Sequence, residues 1–205
     1  MPVLTRAAAR RLEADAEQSS SALALREPVT DKAGQVWQHR SGVDIYSGAT
    51  RASTEKPQVD HCLEVQLAEV ALVRAFSDDR RSSAASMATA QATEIIRDAL
   101  NGLGNLNVTS AKINQGKRGP FTAALNRLQG DKLRSVTIEQ LCRQGRGKWM
   151  VDDGTWARIE SAVVASYDAA STKVESCPDA LPAATQLMHG TMEELNSMLH
   201  TLGFY

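Results

Sequence analysis

Apolar residues recur at helical spacing in one segment of this chain after another, and that periodicity limits the fold to a mostly α class. Leu63, Leu67, Val70 and Ala71 define one amphipathic helix, and Ala88, Ala92, Ile95, Ile96, Ala99 and Leu100 a second that Gly102 and Gly104 close. Trp156, Ile159, Val163 and Tyr167 mark another, and Leu187, Met188, Met192, Leu195, Met198, Leu199 and Leu202 the last. Ser110 is placed to cap a helix that carries Asn114 and Lys117 on one face, and Gly119-Pro120 is expected to break or kink it before Phe121 to Leu128 resume the period. Thr137 and Gln140 have capping-box spacing, with Gly145-Arg146-Gly147-Lys148 ending the short helix they open. Gln35-Val36-Trp37-Gln38-His39 and Val43-Asp44-Ile45-Tyr46 alternate apolar and polar residues about Ser41-Gly42, which predicts a small β-hairpin over 34–46.

A chain of 205 residues, 42% of them hydrophobic, can bury one sizeable core. A first helix from Thr5 to about Glu17 would offer only Ala8, Leu12 and Ala16, and Ser19-Ser20-Ser21 and Glu27-Pro28 detach it from the rest of the chain. The expectation is a flexible leader over residues 1–33 and one α+β, mostly α domain over 34–205. The net charge of -1 excludes a binder that grips nucleic acid through global basicity, so phosphate affinity would have to come from a local patch. Lys112, Lys117, Arg118 and Arg127 supply one. Cys62, Cys142 and Cys177 have no metal-binding pair spacing, and their odd number argues for a reducing compartment. Met1 to Glu17 has no apolar run of the secretory kind, and no stretch reaches the ~20 apolar residues of a membrane span. A cytoplasmic protein is expected.

Chemistry concentrates in two segments, Val59-Asp60-His61 and Asn105 to Lys117. Asp60 is a hard oxygen ligand, His61 can take a proton from a nucleophile, and Asn114 offers a second oxygen ligand from a helix. Lys117 lies about one turn beyond Asn114, where it would face the same phosphate. Alone, Asp60-His61 would read as a helix cap beside a half-buried histidine, and Asn105 as a turn residue; together with Asn114 and Lys117 they fill several roles of one site. Asn105 would hold the loop that orients His61. Glu64, Gln66 and His39 are candidates to support the ligands, although a helix glutamate is commonly just exposed. Trp37 and Tyr46 on the expected hairpin could stack on a base or pack against the helices. His189 and His200 have no carboxylate at matching spacing, and nothing marks Cys62 as an activated nucleophile.

The order Asp60-His61, Asn105-Leu106, then Asn114 with Lys117, resembles that of HNH nucleases, the ββα-metal or His-Me finger enzymes. In that family an Asp-His pair ends a strand, an Asn sits in the following loop, and a final His or Asn projects from a helix. Two departures stand out: Asn114 replaces the commoner His, and helix-like sequence lengthens the gap between His61 and Asn105. Val36 to Gly42, Val59 to Leu67, Asn101 to Asn107 and Phe121 to Asn126 are similar to segments of the ageritin family of fungal ribotoxins. The resemblance implies a divalent-metal-dependent ribonuclease, with Mg²⁺ as the expected ion, that acts on the sarcin-ricin loop of ribosomal RNA. His61, Asp60, Asn105 and Lys117 would be its catalytic residues, Asp60 and Asn114 its metal ligands, and Lys112, Lys117, Arg118 and Arg127 its RNA contacts. Water and a ribose 2′-hydroxyl both remain open as nucleophile. The alternatives are a DNA-directed HNH endonuclease and a non-catalytic helical interaction protein.

Overall fold

Two strands far apart in sequence make the sheet, and the helices between and after them make the core. The computed structural model describes residues 24–50, 57–76, 83–129, 137, 140 and 151–205. Its helices are α1 (Ala33–His39), α2 (Val65–Ala75), α3 (Ser83–Leu100), α4 (Ala111–Gln129), α5 (Asp153–Glu175) and α6 (Pro182–Leu202). Strand β1 (Pro57–His61) pairs antiparallel with β2 (Leu106–Ser110), with Val59 opposite Val108 and Asp60 opposite Asn107. The class is α+β and mostly α. The connection between the strands carries α2 and α3, and α4 follows β2 directly, so β1, β2 and α4 form a ββα unit with a helical insertion.

The apolar stripes read from the sequence meet in one core. Leu67, Leu72, Ala92, Ile96, Ile159, Val163, Met188, Leu195 and Leu199 are each at most 1% exposed there. Burying a side chain such as these leucines contributes about 1.5–3 kcal/mol, so α2, α3, α5 and α6 hold the frame on which the sheet rests. Asp152 starts α5 by accepting from the Thr155 amide at 2.9 Å. Gly203, at φ +83°, ends α6 in the left-handed conformation. Thr137 and Gln140 cap reciprocally: the Thr137 amide donates to Gln140 Oε1 at 3.0 Å, and the Gln140 amide to Thr137 Oγ1 at 3.2 Å.

Three expectations need correction. The segment expected to be a hairpin contains α1 and a single bridge between Val43 and Thr50. Ser41 and Gly42, at φ +54° and +75°, unwind a helix C-terminus instead of turning a hairpin, and the Gly42 amide reaches back to the Trp37 carbonyl at 2.9 Å. Pro120 does not break α4, which runs on to Gln129; Phe121 and Ala124 beyond it are buried, and their packing outweighs the lost amide donor. Residues 24–33, expected within the leader, are docked on the domain. Leu25 is fully buried, its amide donates to Glu69 Oε1 at 3.0 Å, and its carbonyl accepts from Asn101 Nδ2 at 2.8 Å. Residues 1–23, with the helix expected from Thr5, lie outside the described residues, as do Cys142 and Gly145 to Lys148.

Side chains alternate across a strand, and here the alternation separates two kinds of surface. Val59, Leu106 and Val108 face Val29 and Val36 on one side. Gln58, Asp60, Asn107 and Thr109 share the other, which residues 44–47 and α4 cover. Both faces are largely covered, one of them polar, while Gln58 and Val59 stay half-buried.

Candidate active site

A buried polar face must find hydrogen-bond partners within the protein, and that requirement assembles the site. Asp44 accepts from Asn107 Nδ2 at 2.8 Å and from Thr109 Oγ1 at 3.0 Å, pinning its own segment to β2. It also accepts from the Tyr46 amide at 3.0 Å and Ser47 Oγ at 2.7 Å. The result fixes Tyr46, fully buried, with its hydroxyl donating to Asp60 Oδ2 at 2.8 Å. Arg158 on α5 holds the Tyr46 carbonyl at 2.6 Å.

Lys117 enters from α4 and is completely buried. Its ammonium donates to Asp60 Oδ2 at 2.7 Å, to Glu64 Oε1 at 3.0 Å and to the His61 carbonyl. Three protons meet three oxygens, while the Tyr46 and Phe121 rings lie 5.6 Å and 5.3 Å from the nitrogen. Burial works against the charged lysine, but Asp60 first and then Glu64 outweigh it and hold the pKa above the ordinary lysine range. Lys117 is therefore a fixed cation. Burial pushes the Asp60 carboxyl up, and Glu64 adds to the rise against the lowering influence of Lys117, since two carboxylates share one ammonium. Burial, followed by Asp60, keeps the Tyr46 phenol protonated.

Asn105 holds the chain just after His61. Its Oδ1 accepts from the Leu63 amide at 2.7 Å, and its Nδ2 donates to the carbonyls of Leu63 at 3.1 Å and Leu100 at 2.8 Å. His61 itself points away from Asp60, as its neighbour in a strand must. Its Nε2 lies 2.9 Å from Asn101 Oδ1. Asn101 Nδ2 already donates to the carbonyls of Leu25 and Arg97, so Oδ1 is the acceptor and His61 Nε2 carries the proton. Burial lowers the His61 pKa against the opposing hydrogen bond to Asn101, and the net shift favours the neutral ring.

Asp60 and Glu64 open onto a cavity of about 1080 Å³. Gln58, Gln66, Asn114 and Gln115 line it with amides, Val70, Phe121 and Leu125 with apolar surface, and Arg26 and Arg118 with positive charge. Asn114 Nδ2 donates to Gln58 Oε1 at 2.9 Å. Gln66, its amide oriented to suit both neighbours, donates to Glu64 Oε2 at 3.1 Å and accepts from Arg26 Nη1 at 2.9 Å. Asp60, Glu64, Gln66, Asn114 and Arg118 thus converge on one space, with Lys117 directly behind. His61 does not line that space, and the general-base role expected for it has no geometric support. Lys112 and His39 are exposed and line no part of the cavity. The Arg127 side chain lies outside the described residues. Sequence reading missed Tyr46 as a partner of Asp60, and also Asp44, Arg26, Asn101 and Gln58. Gln58 was available from alternation alone, being two residues before Asp60 in a strand.

The expected divalent ion fits this arrangement poorly. Of the two expected ligands, Asp60 already accepts from the Lys117 ammonium and the Tyr46 hydroxyl, and Asn114 is tied to Gln58; Glu64, the other nearby carboxylate, also surrounds the ammonium. No group of three His, Cys, Asp or Glu side chains suited to a metal occurs among the described residues. No protein-family model, curated protein or solved structure matches the chain.

Proposed function

We propose that this cavity is a phosphodiester-cleaving site for RNA, in keeping with the resemblance of Asp60, Asn105 and Asn114 to the HNH and ageritin patterns, with Asp60 in place of His61 as the base. One observation carries the reading: a carboxylate with a raised pKa, backed by a buried ammonium, faces a cavity whose rim bears Arg26 and Arg118. The ββα unit that presents Asp60 and Asn114 also supports it. RNA is favoured over DNA because RNA carries its own nucleophile, so cleavage needs a positioned base and phosphate-binding charge more than it needs activated water.

In the proposed reaction Asp60 accepts the 2′-hydroxyl proton as the 2′-oxygen bonds to phosphorus and the bond to the 5′-oxygen breaks. The leaving oxygen takes a proton from solvent, and the products end in a 2′,3′-cyclic phosphate and a 5′-hydroxyl. Arg118 and Arg26 hold the phosphate and stabilise the phosphorane, and Lys117 keeps Asp60 oriented and ionised. Tyr46 and Asn105 position the two carboxylates. Apolar wall and amide lining together suit an unstacked base, whose face and edge they would meet. With a net charge of -1, selectivity would come from a compact RNA shape, such as a ribosomal loop, more than from bulk attraction.

Incubation with intact ribosomes and with plasmid DNA at matched salt and Mg²⁺ tests the proposal. Discrete cleavage of ribosomal RNA with cyclic-phosphate ends is expected, and Asp60→Asn should lower its rate by ~10²–10⁴. Its acid limb should lie above the usual carboxylate range, because the folded Asp60 takes up its proton at higher pH than a free carboxyl does. Plasmid cut faster than RNA would transfer the site to the DNA-directed HNH reading, and no cleavage of either would leave an interaction protein.

A further inference from the structure

We propose that Lys117 is a built-in substitute for a divalent cation: the wild-type chain binds no such ion between Asp60 and Glu64, and removal of the ammonium turns the same oxygens into a metal site. The proposal goes beyond RNA cleavage and stands or falls separately from it.

Its basis is the ligand set around Nζ. Asp60 Oδ2, Glu64 Oε1 and the His61 carbonyl are three hard oxygens, two of them anionic, converging on one positive centre. Carboxylate and carbonyl oxygens of this kind hold Mg²⁺, Mn²⁺ or Ca²⁺, with water completing the shell. Asp60 and Glu64 also line the cavity, which gives such waters a route to the site. The cage is preorganised without any ion. Asn105 clamps Leu63 within the 61–64 corner, and the Tyr46 hydroxyl fixes Asp60 through the same Oδ2 that meets the ammonium.

Charge gives the direction of the effect. Two carboxylates and one ammonium sum to -1 in the folded chain; without the ammonium the sum is -2, which one divalent ion neutralises. The ammonium and a metal cannot share the same three oxygens. Withdrawing the lysine would leave a buried ammonium without its carboxylate partners. The apparent divided metal site of the sequence is therefore an oxygen cage whose cation is covalently attached.

Mn²⁺ binding, read from the electron paramagnetic resonance signal of the free ion and from Tm, tests the proposal on the full chain. Wild type should take up no Mn²⁺ at this site, and its Tm should be the same in EDTA and in Mn²⁺. Lys117→Ala should bind one Mn²⁺ per chain, and its Tm should rise by roughly 5–10 °C once Mn²⁺ reaches about 100 times its Kd. Adding Glu64→Gln to Lys117→Ala should abolish both effects. Lys117→Met keeps an unbranched stem in the helix and leaves less room for an ion, so it should gain less than the alanine variant. The proposal is overturned if wild type binds an Mn²⁺ that Asp60→Asn removes, a measurement that depends on no lysine variant. It is equally overturned if Lys117→Ala is folded yet takes up none, or is unfolded and refolds no better with Mn²⁺ present.

Discussion

Replacing Asn105 with alanine should be among the most damaging single changes in the molecule, and the structure gives the size. Three hydrogen bonds, at 2.7, 3.1 and 2.8 Å, tie this side chain to the Leu63 amide and to the carbonyls of Leu63 and Leu100. Leu63 and Leu100 are fully buried, so water does not readily replace the lost partner. A buried hydrogen bond contributes about 1 kcal/mol net, while leaving its partner unpaired costs about 1–3 kcal/mol. Three such groups, with some relaxation around the small cavity, imply a loss of about 3–4 kcal/mol. Asn105→Asp should be no milder, since a carboxylate keeps the Leu63 amide but offers no hydrogen to either carbonyl. With an m-value near ~3 kcal/mol/M for a chain of this size, the urea midpoint should fall by about 1 M. The Tm should drop by roughly 6–16 °C. Gln115→Ala, at an exposed position on the cavity rim, should stay within about 0.5 kcal/mol of wild type and serves as the control. An Asn105→Ala chain whose midpoint moved no more than that of the control would refute the clamp.

His61 supplies a pH-dependent counterpart. Its folded pKa lies below the ordinary histidine value of about 6.5, so the unfolded chain binds the proton more readily and this contribution to stability is lost as pH falls below that value. Asp60, whose folded pKa is raised, acts in the opposite sense at lower pH, and the His61 part is isolated by comparison with His61→Gln. The variant should show a flatter decline in urea midpoint between about pH 7 and pH 5; a parallel decline would mean that His61 titrates normally in the fold. Leu25→Ala should cost about 2–5 kcal/mol through the cavity it leaves. Deleting residues 1–30 should cost more, since Val29 and the ties to Asn101 and Glu69 go too, and equal urea midpoints for the deleted and full chains would restore residues 24–30 to a free leader.

Helix positions were legible because each of the long helices carries its apolar stripe within its own sequence, so periodicity alone located α2, α3, α5 and α6. Strand partners were not. Nothing in Val59 says that Val108 lies opposite, and the alternation around Ser41-Gly42 suits a hairpin turn as well as the end of α1. Asp60 and His61 look like one functional unit because they are adjacent, yet a strand sends adjacent side chains to opposite faces. Once β1 is treated as a strand, the residue beside Asp60 in space is Gln58, and Lys117 comes from the face of α4. Its sequence position suggests a phosphate contact; its burial between two carboxylates depends on where residues 44–47 and β1 lie, which no local pattern records. Arg26 was hidden because the segment carrying it is too polar and proline-marked to read as docked.

The position of the helical insertion between β1 and β2 has a consequence for the order of folding. Local contacts within α2 and α3 can form while the chain is still short, whereas pairing Asp60 with Lys117 requires the ends of a long loop to meet. During synthesis the two carboxylates emerge well before the lysine that neutralises them, and Arg158, which anchors Tyr46, comes later still. Until then Asp60 and Glu64 remain hydrated and the charge cluster has no dry interior in which to sit. Forming the site therefore requires distant parts of the sequence to meet, Asp60 with Lys117 across 57 positions and Tyr46 with Arg158 across 112.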